Sequence, residues 1–152
     1  MKVPYATADF ATIRRENYFY VDKTQFIALI ENSAEKHLVF LRPRRFGKST
    51  LLSTLAYYYD IGKADDFNKL FGGLWIHAHP TPNKNAYLVL RFDFSPVASE
   101  GTPEEIRSSF AQQVKVSVRD FVNRHEARVP ALSELMDHVR SPEQDVAAIL
   151  SV

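Results

Sequence analysis

Gly47, Lys48, Ser49 and Thr50 stand in the order that phosphate recognition uses. A lysine ammonium is a point charge suited to β- and γ-phosphate oxygens. The Ser49 hydroxyl could ligate a magnesium ion that bridges those phosphates. Thr50 offers a second hydroxyl within reach of an α-phosphate. Gly47 would let the backbone approach the anion without a Cβ in the way. Just before them lies a tight basic turn, Arg42-Pro43-Arg44-Arg45-Phe46. Arg42 to Thr50 is therefore a candidate nucleotide-phosphate site, with Arg42, Arg44, Arg45, Phe46, Gly47, Lys48, Ser49 and Thr50 as its binding residues and Ser49 as its magnesium ligand.

The bare triplet Gly-Lys-Ser/Thr would occur by chance in about one chain in ten of this length, so the flanking elements must carry part of the weight. Leu38 to Leu41 is a short apolar run, suited to a buried strand. Leu51, Leu52, Leu55, Tyr58 and Tyr59 recur at three- and four-residue steps, as one face of a helix does. Strand, glycine turn, lysine, hydroxyl, helix is the order of a phosphate-binding loop: the unpaired N–H groups and dipole of a helix N-terminus attract anions. The general motif places glycine where this chain has Arg42.

The chain has 152 residues, 45% hydrophobic and 12% aromatic, which suffices for one domain with a core. Net charge is +1, so only the cluster at Arg42 to Lys48 makes an electrostatic case for nucleic acid. There is no cysteine, which excludes disulfides and thiolate metal sites. No segment reaches membrane-spanning length and no secretory h-region is seen, so a cytoplasmic protein is expected.

Around the loop, Phe10 and Ile13 suggest a short helix, and Tyr18 to Val21 an extended segment. Asp22 reads as the N-cap of a helix from Lys23 to Asn32, with Gln25 as its box partner and Phe26, Ile27 and Ile30 buried. Gly62 reads as a helix stop, and Ala64 to Phe71 as a helix ended by Gly72-Gly73. On a strand, His77 and His79 would share one face, but no further metal ligand is near them in sequence. Ala86 to Phe94 is the second expected strand, and Asp93 near its end is a candidate magnesium aspartate. Thr102-Pro103-Glu104-Glu105 is a helix start, with Ile106, Phe110, Val114, Val118, Phe121 and Val122 on the buried face of a helix to about His125. Two shorter helices are expected from Pro130 and from Ser141.

Asp9-Phe10, Ile13-Arg14, Tyr20-Val21-Asp22-Lys23-Thr24, Phe40 to Ser49 and Leu70-Phe71 together resemble the bacterial AAA-ATPase-like family, over about Val3 to Phe94. Members often carry a C-terminal PD-(D/E)XK nuclease-like domain. In that family Arg-Pro-Arg-Arg-x-Gly-Lys-Ser is the usual Walker A, which accommodates Arg42. The resemblance implies a P-loop NTPase fold, ATP and Mg2+ as ligands, Lys48 as the phosphate lysine and Ser49 as the magnesium hydroxyl. It implies Arg42, Arg44 and Arg45 only as members of the motif. It places the acidic Walker B motif on a later strand, leaving Asp93 as a strand-end residue near the site or a partner of a loop arginine. It also brings the segment at Asp22 near the nucleotide base or sugar.

The expected fold is thus α/β, an incomplete P-loop NTPase core of parallel strands flanked by helices, richer in helix toward the C-terminus. Residues 1–152 are expected to be the N-terminal part of such a domain, truncated before Walker B. The function expected is ATP binding, as part of an ATPase whose water-positioning residue is not identifiable here. Two alternatives stand beside it: a nucleic-acid-binding module using the basic cluster at 42–48, and a regulatory fragment with an empty loop.

Overall fold

The computed structural model describes residues 2–5, 7–33, 35, 37–130 and 132. The helices expected from Pro130 and Ser141 fall outside them, apart from Pro130 and Leu132. The chain forms two compact units, Met1–Leu88 and Val89–Val152.

The first unit is built on short helices. Asp9 opens α1 (Phe10–Arg15), its carboxylate accepting from the Thr12 N–H and hydroxyl, both at 2.8 Å. Alanine-poor helices this short do not stand alone in water and are held by packing. Here α1 buries Phe10, Ala11 and Ile13. Phe10 sits edge-on to Tyr20 at 5.4 Å and tilted on Phe71 at 4.8 Å, in a core shared with Ile27, Tyr58, Leu70 and Ile76. Arg14 reaches across from α1 to α4 (Phe67–Phe71), donating to the carbonyls of Leu70 and Gly72, both at 2.7 Å. It thereby satisfies acceptors that a helix C-terminus leaves open. Gly73, at φ 78°, ends the turn after α4 as the glycine pair predicts.

The reading of Asp22 is corrected. The second helix, α2, runs Gln25–Glu31 with Thr24 at its N-cap and no side-chain cap. Asp22 instead accepts from the Thr24 N–H at 2.9 Å and hydroxyl at 2.7 Å, and from the Trp75 N–H at 2.7 Å. The Thr24 hydroxyl oxygen accepts from the Ile76 N–H at 3.1 Å. Two side chains spaced i, i+2 so hold the first-turn N–H groups of α5 (Trp75–Ala78), a distant element that one-dimensional capping rules do not see. Within α2 only Ile27 is buried, while Phe26 is exposed. His77 and His79 lie at the end of α5 rather than on a strand; His77 stacks on Phe67 and His79 on Trp75.

Neither expected strand is paired in a ladder among the described residues. Leu38 to Leu41 is exposed, Val39 at 80% and Leu41 at 79%. Along 86–94 the one pairing is an isolated parallel bridge between Asp60 and Tyr87. An apolar run records a tendency to be buried on both faces, but a strand exists only beside a neighbour that takes its N–H and C=O groups. No such neighbour flanks Leu38 to Leu41 among the described residues.

In the second unit α6 (Pro103–His125) begins with a full capping box. Thr102 Oγ1 accepts from the Glu105 N–H at 3.3 Å, and Glu105 Oε2 accepts from the Thr102 N–H at 2.8 Å. Val114, Val118, Phe121 and Val122 form its buried stripe, with Phe92 against it. Among the described residues no helix is long and apolar enough to cross a membrane.

The first unit has an acid-sensitive pair of carboxylates. Burial pushes Asp22 upward, but the hydrogen bonds from Thr24 and Trp75 outweigh it and hold Asp22 below the ordinary aspartate value of 3.8. Asp9 is held down likewise, burial being outweighed by Thr12 and Ser53. A carboxylate depressed in the folded state stabilises fully above its unfolded pKa and loses that contribution as pH falls through the folded one. The melting temperature should therefore be level above about pH 5 and drop below about pH 4. In Asp22→Asn that drop should shrink, from a lower starting point at pH 7. An unchanged acid limb in both Asp22→Asn and Asp9→Asn would remove these groups from the account.

Candidate phosphate-binding loop

The loop is a turn at 42–47 that feeds directly into α3 (Lys48–Tyr59). Two of its residues are left-handed: Arg45 at φ 67° and Gly47 at φ 76°. Left-handed backbone is open to glycine and costs other residues roughly 1–2 kcal/mol, so its presence at an arginine marks a conformation imposed by the loop. Gly47 is the N-cap of α3. A Cβ there would meet nothing within 4 Å, so conformation, not close packing, requires the glycine. Glycine also brings no side chain to cap α3, leaving the N–H groups of the first turn for another acceptor.

Lys48 turns back across the loop. Its Nζ donates to the Arg42 carbonyl at 2.6 Å and the Pro43 carbonyl at 3.0 Å. The ammonium is thus drawn over the curl of backbone that ends at the α3 N-terminus. Ser49 is exposed on the first turn. Thr50 is half-buried and its carbonyl accepts from the Thr54 hydroxyl at 2.9 Å. Arg42, Arg44, Arg45 and Phe46 are all exposed. Arg42 Nη1 donates to the neighbouring Leu41 carbonyl at 3.1 Å.

What mounts α3 differs from its leucine pattern. Leu52 is exposed and Leu51 and Leu55 are half-buried, whereas Ser53, Thr54 and Tyr58 are buried. Ser53 Oγ accepts from the Phe10 N–H at 2.9 Å and donates to Asp9 Oδ1 at 3.2 Å, pinning α3 to the start of α1. The helix stops at Asp60, whose backbone turns extended, rather than at Gly62. Beyond it Asn85, left-handed at φ 50°, donates from its backbone to the Tyr58 carbonyl at 2.8 Å and from Nδ2 to the Asp60 carbonyl at 2.9 Å. Ser53 and Asn85 were not among the sequence candidates. Asn85 carried a usable signal, since asparagine tolerates the left-handed region in a turn; Ser53 carried none.

Asp93 belongs to the second unit. Its Oδ1 accepts from the Ser95 N–H at 2.9 Å and hydroxyl at 2.6 Å, and these bonds hold its carboxyl below the ordinary range. Among the described residues no three His, Asp or Glu side chains gather as a metal site.

A glycine-lysine-serine turn opening a helix is the anatomy of a phosphate-binding loop. The chain belongs to the AAA-ATPase-like family, described as "Predicted AAA-ATPase", whose model matches residues 4–151. It is also 44% identical over 78 residues to an uncharacterized protein in the vnfD 5' region of Azotobacter chroococcum mcd 1. That alignment covers 50% of this chain and 14% of the relative. No solved structure matches. The family match does not bear on a nuclease-like domain.

Proposed function

We propose that residues 42–50 bind the phosphates of magnesium ATP, with Lys48 on the β- and γ-phosphates and Ser49 on the metal. The observation that carries this is the curl of Arg45 and Gly47 into left-handed backbone, which opens α3 on Lys48 with its ammonium over the loop. The residues present fit the ligand. An uncapped N-terminus on a 12-residue helix offers N–H donors and the positive end of a dipole. The exposed Ser49 hydroxyl is the oxygen donor that a hard cation takes beside water and phosphate. Magnesium, when bound, offsets negative charge on the phosphates. Lys48 would exchange its two carbonyl acceptors for phosphate oxygens, moving one ammonium from neutral to ionic partners. Calorimetric titration of magnesium ATP into the chain tests the reading: one saturable site is expected, and no heat at millimolar nucleotide would sink it.

The setting proposed for the loop is a parallel α/β core in which Leu38–Leu41 and Ala86–Phe94 are strands. Slow amide hydrogen exchange at residues 38–41 and 88–92 is the expected sign of such pairing. Exchange there as fast as in an unfolded peptide would refute it.

A further inference from the structure

The loop carries more positive charge than a nucleoside triphosphate requires. Lys48 and the α3 N-terminus already supply the phosphate contacts of the proposed site. Arg42, Arg44 and Arg45 lie beside them, exposed. Among the described residues the two ion pairs are Lys2–Glu16 and Arg15–Asp66, and neither engages these arginines. Three long cations held close together without carboxylates repel one another, and a turn that keeps Arg45 in left-handed backbone adds strain. Phe46, the residue between the arginines and Gly47, is 64% exposed. Its ring is largely open to solvent on a tight basic turn.

The charge is also uneven along the chain. Residues 1–88 hold twelve Lys and Arg against eight Asp and Glu; residues 89–152 hold seven against ten. The overall value of +1 conceals a basic first unit, and the arginine turn is its densest stretch.

We propose that this turn is a docking surface for single-stranded nucleic acid, with Arg42, Arg44 and Arg45 on successive backbone phosphates and Phe46 stacked on a base. Guanidiniums match phosphate oxygens in a planar fork, and base stacking on an aromatic ring is tolerant of sequence. The exposed Phe46 favours a single strand over a duplex, whose bases are already stacked, and over an acidic protein surface, which has no base to offer. The proposal goes beyond ATP binding by giving the arginines and Phe46 of the same loop a second ligand, reached through side chains other than Lys48 and Ser49.

The test is fluorescence anisotropy of a labelled 20-mer of thymidylate, without nucleotide, at several salt concentrations. The log of affinity should fall linearly with log salt, by about 0.7 for each phosphate neutralised. The triple variant Arg42→Ala/Arg44→Ala/Arg45→Ala should flatten that slope by about 2. The triple lysine variant should keep the slope. Phe46→Ala should weaken binding about five- to a hundredfold at constant slope. Lys48→Ala should change the slope by about 0.7 at most, which separates this surface from the ATP site, so that oligonucleotide binding without ATP binding would overturn the former proposal and keep this one. All positions are exposed or half-buried in the loop, so helical circular dichroism should not change. A slope indifferent to the arginines, equal affinity for duplex, equal affinity for poly-glutamate, or no binding at 50 mM salt would each overturn the proposal.

Discussion

Alanine at Lys48 is expected to lower magnesium-ATP affinity about ten- to a hundredfold. A hydrogen bond to a charged partner contributes roughly 1.5–3 kcal/mol, and each 1.4 kcal/mol is a factor of ten. The structure adds a second consequence. Lys48 also ties α3 back to Arg42 and Pro43 through carbonyl contacts at 2.6 and 3.0 Å. Alanine removes the proposed phosphate contact and the tie together, so a loosened loop would account for part of the loss. Two measurements separate them. Pro43→Gly loosens the turn through its backbone while leaving the ammonium and both carbonyl acceptors in place. If the phosphate contact dominates, Pro43→Gly should bind ATP within a fewfold of wild type while Lys48→Ala does not. The melting temperature of both should stay within a few degrees, since neither side chain enters the core, and surface changes are usually within about 0.5 kcal/mol. Equal ATP binding by Lys48→Ala and wild type would end the assignment of Lys48.

That a turn closes on Gly47 and opens a helix at Lys48 could be read from residue order, because the physics of a helix start is local. Gly47, Lys48 and Ser49 are adjacent, and the start of the helix is set within them, although what holds α3 in place lies outside Arg42 to Tyr59. The same holds for the capping box of α6, where Thr102 and Glu105 satisfy each other's N–H groups within one turn. What escaped reading depended on partners far away in sequence. Asp22 had the spacing of an N-cap, and its carboxylate went to Trp75, 53 residues on. The leucines of α3 suggested its buried face, yet the face that packs on α1 holds Ser53, because Asp9 and the Phe10 N–H supply its hydrogen bonds. Burial of a serine is cheap only when such partners exist, and nothing near Ser53 in sequence announces them. Leu38 to Leu41 shows the opposite limit: an apolar run states a demand for neighbours and does not say which residues meet it.

The residues that carried the family resemblance away from the loop prove to be the mounting of α3, and Phe10 is their keystone. Asp9 and Phe10 meet Ser53, Arg14 meets the end of α4 at Leu70 and Gly72, and Phe71 lies against Phe10. Phe10 is fully buried, and its ring contacts Tyr20, Tyr57 and Phe71 at centroid distances of 5.4, 6.3 and 4.8 Å. Phe10→Ala should therefore cost about 3–5 kcal/mol, the transfer of the ring plus the cavity it leaves. Small domains hold roughly 5–15 kcal/mol in all, so this one change should consume most of the margin. The expected result is a urea midpoint shifted far toward zero, with partial unfolding at 37 °C, whereas Phe10→Leu should lose less because it keeps most of the volume. Phe46→Ala is the matched control: the same atoms removed from an exposed ring should move stability by no more than about 0.5 kcal/mol. The contrast tests the division of labour between the two phenylalanines, one holding α3 in place and one facing solvent beside its N-terminus. If Phe10→Ala and Phe46→Ala unfolded at the same urea concentration, Phe10 would not be the core residue that its burial describes, and the mounting of α3 would have to be sought elsewhere in the first unit.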